Sequence, residues 1–323
     1  MDLKKGQFGI AMVKNGGRIK RSGGTLKWSG QYKAFMVFNI LFMVVLSFIF
    51  VAPYINVLAK ALNKADDTSL GGIGFWPRKP TFSNIWMILN FEETSWGFLV
   101  TGGRVVIGSV WALIVTYFAA YAFLRKGLRG RGIIMAYLTV PMFFSGGLIP
   151  TYVLYSRIRI TNSFLVYVLP TAFNFFNMAV IRTYLKLIPD SLRESARMDG
   201  ASEIRILAQI MLPLSMPIVA TILLWNAVFH WNDWTTTLYY IRNPKLYTLQ
   251  YNLMQVLKES ERIQDMINAA LSSGRPIGDI SQFMTNQAVQ NAQIVIATLP
   301  IIILYPFVQK YFIQGVMIGS VKE

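Results

Sequence analysis

The chain is 323 residues long, 54% hydrophobic and 14% charged, where soluble proteins carry about 25% charged residues. Its formal net charge of +16 falls between apolar segments, which favours a membrane topology signal over nucleic-acid binding. With no cysteine and a single histidine, His230, the sequence excludes disulfides, thiolate metal sites and histidine-based metal clusters.

Residues 1–33 are basic and glycine-rich and are expected to form a cytoplasmic tail. The apolar stretch after them is too long for a signal-peptide core and has no A-x-A site behind it, so it should remain as an anchor. Six stretches reach the roughly 20 apolar residues that a bilayer crossing requires. They are 34–59, 105–124, 133–156, 160–181, 206–232 and 288–311, the last opening on Gln and Asn. The expected fold is an all-α integral membrane protein with about six transmembrane helices, forming one domain over 34–323. Prolines such as Pro141, Pro150, Pro170, Pro213 and Pro217 fall in or at the ends of these spans. There a lost backbone donor is tolerated if neighbouring groups satisfy the freed carbonyls.

Lysines and arginines are distributed unevenly between the connections. With the N-terminus inside, the inner segments hold 8 in 1–33, 4 in 125–131, 5 in 182–205 and 2 after residue 309. The outer segments hold 4 in 55–97, 2 in 157–159 and 5 in 235–290. The excess predicts both termini in the cytoplasm. Arg104, about six residues from the predicted outer end of its span, is expected to snorkel or to contact the bundle.

The connection 182–213 differs from the others. Pro189 to Gly200 reads as a short amphipathic helix, with Ser191 and Glu194 at capping-box spacing. Asp199-Gly200 marks its end, and a second helix runs on towards Leu212-Pro213. The small residues Ser195, Ala196, Gly200 and Ala201 permit close backbone approach. A surface connector would look much the same on these grounds alone.

Glu194-Ser195-Ala196, three residues, Gly200, nine residues and Ile210-Met211-Leu212-Pro213 resemble the EAA loop of binding-protein-dependent ABC permeases, with Ser195 in place of the first alanine. The ending Tyr311 to Lys322 is similar to that of MalG-like carbohydrate permeases. Phe144 to Tyr152 resembles the subgroup that handles oligo- and polysaccharides of the alginate or pectin type. The resemblance implies a MetI/MalG-like permease subunit of an ATP-driven importer for oligosaccharides or polysaccharide fragments. It implies coupling through region 189–207, with Glu194, Ser195, Ala196, Asp199, Gly200 and Ala201 against the ATPase. It further implies a second permease subunit, an ABC ATPase dimer carrying ATP and Mg, and an extracytoplasmic solute-binding protein in a bacterial inner membrane. No G-x-x-x-x-G-K-[ST] phosphate loop is present, so hydrolysis is expected on another subunit and the chain is not expected to be an enzyme.

The fifth span ends in Trp225 to Trp234, where rings and amides alternate. Asn226, His230, Trp231 and Asn232, with Asn177 in the fourth span, are the candidate pathway residues. An interfacial aromatic belt or a helix–helix tie accounts for the same residue types. Asp233 is expected above the membrane. The first rival, an ion-driven transporter, would favour carboxylates buried in the spans, and none is present there; an ABC importer of a non-sugar solute stays open as well.

Overall fold

A computed structural model describes residues 30–125, 127–272 and 287–306. Their regular structure is helical, and the one β-type pairing among them is an isolated bridge between Asn63 and Pro80. Two compact units divide the chain after Pro53. The described part of the first is the beginning of α1 (Gly30–Ala61), in which Lys33 is the one charged residue, with Phe35, Phe38, Leu41 and Phe50 among its exposed apolar side chains. The predicted tail before residue 30 lies outside the described residues, as does the ending 311–322.

The second unit is built around α4 (Glu92–Ala122). Glu92 and Glu93 in its first turn complement the helix dipole, and no proline interrupts it. At 1.5 Å per residue its 31 residues run well beyond the roughly 30 Å hydrocarbon core. Its buried face recurs at Thr101, Arg104, Gly108 and Ala112, the three- and four-residue spacing of one helical stripe. Before it come α2 (Ala65–Ser69) and α3 (Ser83–Leu89). Asn63 and Asp67 hold the connection between α1 and α4 together. Arg78 donates to Asp67 at 2.9 Å, Asn63 to Asp67 at 3.0 Å and Asn84 to the Asn63 carbonyl at 2.8 Å.

Three predicted spans are not single helices. The stretch 133–156 divides into α5 (Arg131–Phe143) and α6 (Leu148–Arg157), bent by 115°. Gly147 occupies the left-handed side of φ at +82°, which a side chain would strain. The stretch 160–181 becomes α7 (Leu165–Val168) and α8 (Phe175–Leu185). Pro170 cannot donate a backbone bond there, and the side chain of Asn174 caps α8 by accepting from the Asn177 N–H at 2.9 Å. The stretch 206–232 divides into α10 (Glu203–Leu214) and α11 (Met216–Asn232), bent by 84°, after α9 (Asp190–Met198). Pro213 and Pro217 remove two donors around the bend, and residues Leu207–Met211 widen into a π turn. Ser215 stabilises the corner, with its hydroxyl 2.7 Å from both the Tyr117 hydroxyl and the Met211 carbonyl.

Past α11 lie α12 (Thr235–Tyr240), α13 (Leu249–Ser272) and α14 (Gln287–Pro306). Three helices, α1, α4 and α14, are long and apolar enough to cross a membrane unbroken, and the two bent pairs bring the number of candidate spans to five among the described residues. The main apolar core gathers Tyr117, Met178, Ile181, Ile206, Met211 and Ile222, where α4, α8, α10 and α11 meet. Between α4 and α13 a small residue permits close approach, as is usual in membrane bundles. A Cβ on Gly97 would lie 3.2 Å from the Leu249 backbone of α13.

Candidate functional site

The elbow between α8 and α11 is built from local rules. Pro189 leads into α9, whose first residue, Asp190, forms an ion pair with Arg193. The capping box expected from Ser191 and Glu194 does not form: the helix begins two residues earlier than a Ser191 cap requires, and Pro189 at the cap position has no side-chain acceptor to offer. Ser202 takes the capping role for α10, accepting from the Arg205 N–H at 3.3 Å. Gly200 has φ +78°, and the Ala201 N–H reaches the Ala196 carbonyl at 2.9 Å while the Gly200 N–H reaches that of Arg197 at 3.0 Å. This pair of bonds is a Schellman ending, and it needs a residue without a side-chain penalty at position 200. Ala196 and Ala201 pack against the main core, whereas Glu194, Ser195, Asp199 and Gly200 are exposed.

Two further residues belong to the elbow. Met198, at its apex, is 88% exposed, an unusual position for a large apolar side chain. Tyr121, at the end of α4, donates to Glu203 at 2.7 Å, and the other oxygen of Glu203 accepts from Arg197 Nε at 2.9 Å. This chain of bonds joins α9 to α10 and to α4. Arg182 donates to the Phe123 carbonyl at 3.1 Å. The elbow therefore sits at the same end of the bundle as the basic loop 125–131. Sequence spacing did not single out Tyr121, because its partner is 82 positions away.

The candidate pathway residues scatter. Asn177 donates to Asn226 Oδ1 at 3.1 Å, next to the stacked rings of Phe176 and Trp225 with centroids 5.9 Å apart. An open cavity of ≈ 340 Å³ adjoins them, lined by Leu138, Pro141, Met142 and residues 173–176. The other three candidates face different directions, as consecutive positions on a helix must. His230 is buried against α4, where a Cβ on Gly108 would lie 2.5 Å from its Nε2. Trp231 donates its ring N–H to the Ala297 carbonyl of α14 at 3.0 Å. Asn232 is exposed and bonds the Val228 carbonyl of its own helix.

Arg104 makes the bundle contact that was one of its two expected roles, and Asp233, its partner, departs from expectation. The helix starts at Glu92, so Arg104 lies twelve residues inside it, fully buried and not snorkelling. It donates to Asp233 Oδ2 at 2.7 Å and to the Asp233 carbonyl at 2.8 Å, with its guanidinium 4.4 Å from the Tyr167 ring centroid. The Asp233 side chain is only 8% exposed, so it does not lie free above the membrane.

Residues 112–318 match the family described as "Binding-protein-dependent transport system inner membrane component". The chain belongs to this family. The match includes the elbow, the main core and α11. The polygalacturonan/rhamnogalacturonan transport system permease protein YtcP of Bacillus subtilis (strain 168) is 32% identical over 282 residues, covering 87% of this chain and 96% of that protein. The arabinooligosaccharides transport system permease protein AraQ of the same organism is 25% identical over 306 residues, covering 92% and 99%. Among solved structures, a crystal structure of a bacterial ABC transporter involved in the import of the acidic polysaccharide alginate superposes with a TM-score of 0.78. That chain is 26% identical and is covered completely, against 89% of this one. This inner membrane component is a transport permease of the ABC importer type, not an enzyme.

Proposed function

We propose that this permease subunit admits oligosaccharides or polysaccharide fragments across a bacterial inner membrane, with both termini cytoplasmic. An extracytoplasmic binding protein delivers the sugar, a second permease subunit completes the pathway, and ATP with Mg is turned over on a separate ATPase dimer. The sugar class rests on the relatives, whose names cite polygalacturonan, arabinooligosaccharides and alginate. The single observation that carries the coupling is the elbow. It is a stiff bend that exposes Glu194, Ser195, Asp199 and Met198 at the end bearing the basic loop, and it is bonded through Arg197, Glu203 and Tyr121 to two long helices. A motor that displaces such a bend moves α4 and α10 with it, a rigid-body transition passed through an interface.

Within the membrane, the Asn177–Asn226 pair beside the Phe176–Trp225 stack is the part of the pathway set that adjoins a cavity, so these residues are the ones we place nearest the sugar. His230, Trp231 and Asn232 then border the pathway through their packing.

Purification of a tagged chain should bring down an ATPase and a second membrane subunit. Gly200→Pro, which forces φ from +78° to about −65°, should leave insertion intact and uncouple ATP turnover from uptake, and Glu194→Lys should do the same. Normal transport in both variants would falsify the coupling assignment.

A further inference from the structure

An open cleft of ≈ 420 Å³ lies where the α5–α6 bend, α6, α7 and α12 meet, within the size range of about 300–1,000 Å³ for small-molecule pockets. Ser145, Thr151, Thr171, Thr235 and Thr236 contribute five hydroxyls to its lining, and Tyr155, Tyr239 and Tyr240 contribute rings. A smaller apolar pocket of ≈ 180 Å³ shares Tyr239 and adds Tyr152. The four tyrosines form one cluster. Tyr240 is stacked on Tyr152 at 6.1 Å between centroids, and lies 4.9 Å from Tyr155 and 6.3 Å from Tyr239. No charged side chain lines either pocket.

The hydroxyls are already oriented by the protein. Thr151 donates to the Gly147 carbonyl at 2.7 Å, Thr171 to that of Tyr167 at 3.1 Å and Thr235 to Asp233 Oδ1 at 2.7 Å. Each has used its proton and retains lone pairs, so it can accept from a ligand hydroxyl but offers nothing to a carboxylate. Ser145 accepts from the Gly147 N–H at 3.2 Å and keeps its proton to give. The buried ion pair supports this wall: Arg104 holds Asp233, and Asp233 holds Thr235 by its hydroxyl and both Thr235 and Thr236 by their backbone N–H groups.

We infer that this cleft is a saccharide subsite which holds a sugar ring by its hydroxyls and its C–H face and makes no ionic contact with a carboxylate. Rings with a polar rim and a few oriented hydroxyls match a ligand that is apolar on one face and hydroxylated at its edge. The subsite rests on the oligosaccharide reading above and deepens it: an acidic chain would be gripped here without a cationic partner for its carboxylates. Arg104 is then a positioning residue for the cleft, acting through Asp233.

The test uses the complete transporter, with its ATPase and second permease, in proteoliposomes supplied with the binding protein. Radiolabelled trigalacturonate and arabinotriose serve as the acidic and neutral probes. Removing one hydrogen bond or one ring contact, in Thr151→Val or Tyr239→Ala, should lower the sugar imported per ATP hydrolysed by about three- to tenfold. The conservative Thr151→Ser and Tyr239→Phe should restore that ratio to within about twofold, which separates a ligand contact from a folding defect. The KM for sugar, set by the binding protein, should not move. Undiminished ratios in Thr151→Val and Tyr239→Ala overturn the subsite and leave the importer standing. A loss confined to trigalacturonate, with arabinotriose carried normally, overturns the claim that the cleft grips acidic and neutral sugars by the same uncharged contacts. A wild-type complex that carries neither sugar overturns the oligosaccharide reading and the subsite with it.

Discussion

Arg104 is sealed inside the bundle with its charge matched by Asp233 at 2.7 Å and its flat face against Tyr167. Removing one member of such a pair leaves an uncompensated buried charge, which costs about 3–5 kcal/mol, whereas removing both leaves none. Arg104→Met and Asp233→Asn should therefore each lower the thermal unfolding temperature of the purified protein strongly, and the double variant should lose much less than their sum. Additive losses in that double-mutant cycle would show that the two residues are not coupled. His230 presents a different constraint. The ring occupies the space over Gly108, so Gly108→Ala should destabilise by about 1–3 kcal/mol through overpacking. Adding His230→Ala should recover part of that loss in the same unfolding measurement. A harmless Gly108→Ala would mean that the ring has room to move.

The helices that break are the ones that build sites. The α5–α6 bend forms one wall of the hydroxyl-lined cleft, the Pro170–Asn174 interruption caps α8 beside the Asn177–Asn226 pair, and the Ser215 corner sets the direction of α10 towards the elbow. Each break places non-helical backbone where neighbouring groups can satisfy it, as Ser215 and Asn174 do. The connection between α1 and α4 is held by charge and hydrogen bonds. The Asn63 amide bonded to Asp67, followed by Arg78 and Lys79, holds the Asp67 carboxyl below the usual carboxylate range against the opposing effect of desolvation. A depressed folded value means stability that is present above the ordinary carboxylate range near 3.9 and is lost as pH falls through the folded one. Amide protection factors across 62–81, corrected for the intrinsic pH dependence of exchange, should therefore fall below about pH 4, and Asp67→Asn should abolish that fall. Protection that stays constant in the wild-type protein would discount the carboxylate as the tie.

At the scale of the whole molecule, orientation is the decisive property, and the absence of native cysteine makes it directly measurable. A Ser195→Cys chain should react with a membrane-impermeant maleimide only from the cytoplasmic side, and a Trp76→Cys chain only from the opposite side, since both positions are exposed and belong to opposite connections. Labelling of Cys at 195 from outside would reverse the topology and remove the coupling proposal. Much of this architecture was legible in the residues themselves. Apolar length marked five of the six expected spans, the stretch 160–181 being broken into two short helices; Asp199-Gly200 marked the turn, and the Glu194 to Pro213 spacing marked the family, because these depend on short-range backbone geometry and on transfer of side chains from water. The cap of α9 failed for a local reason, the helix starting one residue before the expected serine. The rest required the fold. Hydropathy along a chain reports how apolar a stretch is but not whether it bends, so α5–α6 and α10–α11 read as straight spans. Arg104 and Asp233 are separated by 129 positions, and a charge inside an apolar run has the same composition whether it snorkels or is paired. The direction of a ring on a helix is equally silent in sequence, and so His230 meeting Gly108, Trp231 meeting α14 and the tyrosines closing one cleft were decided by tertiary packing, which alone sets what stands opposite each side chain.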